Sequence, residues 1–338
     1  METRKVQLSG GTTYTVSLPK TWAIEQNIEA GVGLQLYPQP NGSLRIETAP
    51  NDRARDRTAT VSVRSIDAGA LTRTIEAFYL VGVDSISLID ETNADRAFQR
   101  TIAGAISELS GLEILETTEE RVVLQNLIDA GSLSVHKSVL RLNHIALAMV
   151  RDAIDALLTG DTTLRDAVVG RKTESEKLFG AVLRFFWRSL SNLQAVERLG
   201  TSRTELFGYA FLARQLERVA DHAVTIAQLT TAAFDPAEAI AQKLESYADR
   251  ARTIIERGAN VLVSDTHVSM AYEATEEAKQ LEEDIDSFGY ELFWRENPDE
   301  SHRISQLLEY TKRIAEDGAN MATMAIQQAA SQNELDAC

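Results

Sequence analysis

Apolar residues alternate with polar ones in four short runs over the first fifty residues: Val6 and Leu8, Val16 and Leu18, Leu34 and Leu36, Leu44 and Ile46. A period of two belongs to half-buried strands, so each run predicts one. "PNGS", from Pro40 to Ser43, supplies the turn between the last two, because Asn and Gly tolerate positive φ. Between the second and third runs, "LPKTWAIEQN" reads as one short helix with Pro19 near its first turn, where a missing N–H costs nothing. A unit of about fifty residues buries little surface alone, which predicts that it completes its core by dimerising.

"NDRARDR", Asn51 to Arg57, reads as a charged linker. Beyond it, "TATVSVRS" and "DSISLID" have strand character, while Asp67 to Val81 and Asn93 to Leu109 carry helical apolar spacing. "LEILETTEERVVLQNLI" reads as a hairpin turning near Thr117 to Glu120. The resulting β-α-β-α-β-β order predicts a small α/β two-layer module over residues 58–130. No glycine-rich phosphate loop follows either early strand, so the module is assigned no ligand.

From Ser134 the period changes to that of helices, with breaks near Gly160, Gly200, Pro236, Asp265 and Pro298. Six long helices follow, in two groups of three spanning residues 134–232 and 236–330. The groups read as repeats. "LLTGDTTL" (157–164) stands beside "VLVSDTHV" (261–268), and "RFFWR" (184–188) beside "ELFWR" (291–295). The third helices align at an offset of 99 between "RQLERVADHAVTI" and "RIAEDGANMATMA", matching Arg214 with Arg313, Glu217 with Glu316 and Asp221 with Asn320.

At about 100° per residue, with Arg214 as zero, Glu217 falls at about 300°, Arg218 at about 40° and Asp221 at about 340°. Leu216, Ala220, Ala223 and Ala227 gather at about 180–240°, the packed side, so the charged stripe is expected to face away from the core. Charges three and four apart make helix-stabilising pairs worth about 0.2–0.5 kcal/mol each. The alternative is chemical: two acids four apart can converge on one hard cation, completed by acids of a neighbouring helix. Glu174 and Glu176 are available in the first repeat, and Glu282, Glu283 and Asp286 in the second.

These motifs resemble the PhoU family of phosphate-uptake regulators, built from tandem three-helix bundles whose third helices carry an E-R-x-x-D signature. Here that signature stands as "ERVAD", Glu217 to Asp221, and "EDID", Glu283 to Asp286, approximates the family's second-helix signature. The resemblance implies a C-terminal all-α pair of bundles, iron or zinc at surface carboxylates, and contact with a phosphate ABC transporter or its signalling partner. Carried over, the metal-ligand set is Glu176, Glu217, Asp221, Glu282, Asp286, Glu316 and Asn320. Two departures stand out. "KTESE" puts Lys172 where an acid is expected and Ser175 where an aliphatic is expected, and "EDGAN" puts the neutral Asn320 in place of an acid.

The N-terminal stretch through "SLPKTW" and "EAGVGLQLY" resembles the SpoVT/AbrB swapped-hairpin fold, in which two chains interleave strands into one DNA-binding dimer. That resemblance implies a homodimer through residues 1–50 and DNA contacts from Arg4, Lys5 and Lys20. The fold class expected for the whole is therefore multi-domain: an AbrB-like β unit, an α/β module and PhoU-like bundles.

The chain has 338 residues with 50 acidic and 34 basic side chains, a formal charge of −16, which excludes a generally basic surface that coats nucleic acid. Only eight of the bases are lysine, and this acid-rich, lysine-poor balance resembles proteins of salt-accumulating, halophilic archaeal cytoplasms. The only cysteine, Cys338, makes a disulfide framework or thiolate metal site impossible and fits a reducing cytosol. The most apolar run, "IALAMV", stops at Arg151 and Asp152, so no membrane span is expected. His136, His144, His222, His267 and His302 show no metal or triad spacing, and His222 is expected at the surface or bundle edge. No nucleophile–base motif points to an enzyme. The reading is a phosphate-responsive regulator that works by binding. The alternative is a carboxylate metal-cluster protein whose N-terminal unit only dimerises.

Overall fold

The computed structural model describes residues 3–38, 42–48, 57–64, 66–89, 96–128, 134–191, 196, 200–230, 234, 236–264, 266–292 and 298–332. The chain divides into two compact units, Met1–Asp56 and Arg57–Cys338.

In the first unit, β1 (Gln7–Ser9) and β2 (Thr13–Thr15) form an antiparallel hairpin across Gly10 and Gly11, whose φ values of 63° and 79° suit glycine. That tight turn pairs Ser9 with Thr13, so Val16 and Leu18, expected to lie in the second strand, fall beyond its end. Helix α1 (Lys20–Glu25) starts after Pro19, which sits at the N-cap. β3 (Leu34–Pro38) and β4 (Leu44–Thr48) make a second antiparallel ribbon. Of the expected turn, Pro40 and Asn41 lie outside the described residues; Gly42 has φ 78°. No described residue of this unit is buried. Leu8, Tyr14, Leu36 and Leu44 are all more than half exposed, where alternation predicted half-buried faces.

The second unit opens with the α/β module. β5 (Thr58–Ser62), β6 (Ser85–Ile89), β8 (Arg121–Asn126) and β7 (Leu112–Thr117) line up in the order β5-β6-β8-β7. The first pair is parallel, as a helical crossover requires, and the others are antiparallel. Helices α2 (Ala68–Leu80) and α3 (Arg96–Ser107) supply the second layer, and Ile75, Tyr79, Ile86, Leu88, Ile102, Leu112 and Leu124 are buried between them and the sheet. Asp67 caps α2 by accepting from the Ala70 amide. Residues 51–56 of the expected linker lie outside the described residues, whereas Arg57 is anchored, its amide donating to Asp84 and its Nη1 to the Val81 carbonyl.

Among the described residues the long helices follow the expected sixfold division: α4 (Val135–Thr159), α5 (Thr162–Ser191), α6 (Arg203–Gln228), α7 (Glu238–Val263), α8 (Ser269–Leu292) and α9 (Pro298–Ser331). Gly160, with φ 68°, ends α4, and a reciprocal Ser202–Glu205 capping box begins α6. Each trio packs internally. The trios also share one continuous core, because α6 packs on α9 and α4 on α7. First and third helices thus form the seam between the bundles, and the second helices, α5 and α8, lie outside it. Among the described residues no helix is long and apolar enough to cross a membrane.

The module rests on α5 through α2. Arg184 of α5, almost fully buried, donates to the Tyr79 and Val83 carbonyls and to Asp84, while Arg188 reaches the same carboxylate. Burial pulls Arg184 down to about 10, opposed by the Asp84 charge, so it stays cationic at neutral pH.

Candidate functional site: the carboxylate flanks

The helix wheel placed Arg214, Glu217, Arg218 and Asp221 on one outward stripe of α6. In the structure that stripe divides between two neighbours. Glu217 and Asp221 lean towards α5, and Arg218 reaches across the seam to α9. Arg214 is exposed, stacks on the Phe179 ring at 4.3 Å and holds Glu217 at 3.1 Å. The Glu217 side chain is largely covered, at 15% exposure, so the expectation of a solvent-facing acid fails here. Burial and then the Asp221 charge push its carboxyl above the ordinary range.

Between α5 and α6 the centre of the acidic group is an amine. Lys172 Nζ lies 2.7 Å from Asp221 Oδ1 and 3.6 Å from Glu176 Oε1. The bond to Asp221 holds the ammonium above the ordinary lysine range. Glu176 is itself pushed up by burial, opposed by Lys172 and reinforced by Glu108 of the module. Glu174 turns the other way and pairs with Arg141.

The second bundle has the same arrangement from a different source. Lys312, on α9, lies 2.7 Å from Asp286 Oδ1 and 3.6 Å from Glu282 Oε1 of α8. Burial opposes its charge, yet the bond to Asp286 and the nearby acids hold it above the ordinary range. Glu316 is exposed and lines one groove with Glu282, Lys312 and Thr323; Asn320 is exposed on the next turn. The ligand set read from the sequence is thus gathered into two groups, Glu176, Glu217 and Asp221 in one and Glu282, Asp286 and Glu316 in the other. Each group is built round a lysine. Among the described residues, no three His, Cys, Asp or Glu side chains converge closely enough to hold a metal ion.

Lys312 was missed in the sequence reading. The signal was available, since it precedes Glu316 by one helical turn in a chain with few lysines. Asp317 was missed as well. It is fully buried, with Arg218 Nε 3.1 Å from Oδ1 and His222 Nε2 3.4 Å from Oδ2. His222, expected at the surface or bundle edge, lies in this seam against the Tyr310 ring, its side chain 13% exposed. At the offset of 99, Arg218 and Asp317 occupy the same position of the two repeats. A residue that meets its own counterpart marks a local two-fold axis. A wider groove over α7 and α8 contains Arg250 and Arg257, both already paired, with Glu277 and Asp284 and with Glu273. In the first unit Arg4, Lys5 and Lys20 are exposed.

Fold and flanks together define a paired helical-bundle protein with charged outer grooves. Residues 139–230, essentially α4 to α6, match the family model of the PhoU domain. Among solved structures, PhoU from Pseudomonas aeruginosa is similar at 14% identity and a TM-score of 0.46, over 58% of this chain and 96% of that one. No curated protein matches.

Proposed function

We propose that the chain is a phosphate-responsive regulatory protein that acts by binding, with no turnover. The observation that carries this reading is the PhoU-domain match of residues 139–230, set within a double bundle of matching helices. The partner class is a phosphate transporter or its signalling machinery. Affinity purification of the full chain from cells grown with and without phosphate tests it. The reading expects such a partner whose recovery changes with phosphate; the same set of bound proteins in both conditions contradicts it.

The N-terminal unit is the dimerising head. Its support is the lack of any buried residue among those described, with Leu8, Tyr14, Leu36 and Leu44 exposed on short ribbons that a second copy would cover. The full chain is expected to sediment as a dimer, and Tyr14→Glu with Leu36→Glu as a monomer of unchanged helicity. DNA contact by Arg4, Lys5 and Lys20 belongs to the same reading. If these three neutralise phosphates, replacing all of them by alanine lowers the salt slope of binding by about 2–3.

A further inference from the structure

The resemblance that suggests phosphate regulation also implies iron or zinc at the carboxylate flanks, and the residues present do not fit such an ion. Each flank already has a cation at its centre, covalently attached to the chain. Lys172 lies between Asp221 and Glu176, and Lys312 between Asp286 and Glu282, with the same pair of separations, 2.7 and 3.6 Å, in both.

The two lysines do not occupy equivalent positions. Lys172 projects from the second helix of its trio and Lys312 from the third, so the likeness is in the charge arrangement and not in the aligned residue. Lysine suits this place better than arginine. Its ammonium is a compact point charge on a flexible stem, nearest among side chains to a metal ion in shape, whereas guanidinium is a planar fork. The choice is pointed in a chain where lysines are outnumbered about three to one by arginines.

We propose that the flanks are self-occupied: the ammonium groups of Lys172 and Lys312 stand in for a multivalent cation and bridge the second and third helices of each bundle without metal. An incoming divalent ion would meet a positive charge a few ångströms from its carboxylates, and to bind it would have to drive that ammonium out. Removing the ammonium leaves Glu176 and Asp221 unpaired on one flank and Glu282 and Asp286 on the other, pairs of oxygen ligands of the kind that hard cations accept. The inference stands whether or not the regulatory reading does, because its readout is metal and not phosphate.

The test uses the full chain, purified and stripped with chelator, and titrated calorimetrically with zinc and with manganese. The wild type is expected to take up no stoichiometric metal, and its melting temperature to be unmoved by either ion or by chelator. Lys172→Met and Lys312→Met, which keep length and remove charge, are expected to bind either ion at least about tenfold more tightly than the wild type, each at one further site. Wild-type protein that carries stoichiometric iron or zinc, lost in Glu176→Gln or Asp286→Asn, overturns the proposal. So do methionine variants that fold, by circular dichroism, yet bind no more metal than the wild type. Should the variants fail to fold, the wild-type titration alone decides: a melting temperature raised by metal contradicts the proposal.

Discussion

The two bundles align in sequence and differ both at positions that face something other than their own core and within the core itself. Both contain three helices, of 25, 30 and 26 residues in the first and 26, 24 and 34 in the second. The first carries the α/β module on α5, held by Arg184; the aligned residue of the second bundle is Glu291, an exposed acid 3.8 Å from Lys243. At the seam, Arg218 of the first faces Asp317 of the second. Were the halves identical, that position would oppose like charges. Duplication within one chain frees the two copies to become complementary, which a symmetric dimer of single bundles cannot do. Core packing has diverged too. Where the first bundle has Ile154 and Val219 buried between its first and third helices, the second has Gly258 and Gly318. A Cβ on Gly258 would come 2.7 Å from the Gly318 carbonyl oxygen and 2.9 Å from the Ala322 nitrogen, so α7 and α9 approach almost backbone to backbone.

The largest test of this asymmetry is Arg184→Ala. It strips a buried cation from Asp84 and from two module carbonyls, and is expected to cost about 3–5 kcal/mol in urea unfolding. Glu291→Ala, at the aligned position, should change stability by less than about 0.5 kcal/mol. Equal losses would mean that the module is not what distinguishes the bundles.

Gly318→Ala comes next. The added methyl meets the Ile255 nitrogen at 2.9 Å, backbone that cannot rotate away, and the expected cost is about 1–3 kcal/mol. Val219→Ala in the first bundle leaves a void instead, so a xenon or small-hydrocarbon titration should rescue it and fail to rescue Gly318→Ala.

At the seam, Asp317→Asn removes the charge facing Arg218 and is expected to cost about 1–3 kcal/mol. Arg218→Asp combined with Asp317→Arg should recover part of that loss, since it restores opposite charges across the local axis. A double variant no better than the sum of its singles removes the pairing argument.

The smallest effect is a pH dependence at Glu217. Burial raises its carboxyl in the folded chain, so the folded state binds a proton more readily than the unfolded one. The stabilisation is complete below the unfolded value of about 4.5 and declines as pH rises through the raised folded value. Glu217→Gln should flatten that decline and leave the neutral-pH stability equal or slightly higher. The lysines follow the same sign at higher pH: both are raised, so their contributions persist below the unfolded value of about 10.5 and fade only in stronger alkali.

Much of the architecture was legible because apolar spacing records which residues each element buries against its own partners. The six helices, the β-α-β-α-β-β order and the Gly160 break all follow from it. A helix wheel contains no neighbours, however. Arg218 sits beside Glu217 and Asp221 on the wheel, yet α9 lies along that edge and claims it through Asp317. For the same reason His222 reads as an edge residue and is enclosed. In the first unit, alternation at Leu8 and Leu36 correctly signals strands, but alternation does not say what covers an apolar face, and both residues are exposed. In sequence Lys172 reads only as a missing acid. Its role became visible once Asp221 and Glu176 were seen on either side of its ammonium, and Lys312 shows that the arrangement recurs.

The central claim, a regulator of phosphate handling that works by binding, is tested most directly by phosphate uptake in cells from which the chain has been removed. Uptake in those cells should no longer adjust when external phosphate is raised or withdrawn, and the full-length chain should restore the adjustment. Uptake that responds to phosphate as fully without the chain as with it would contradict the account.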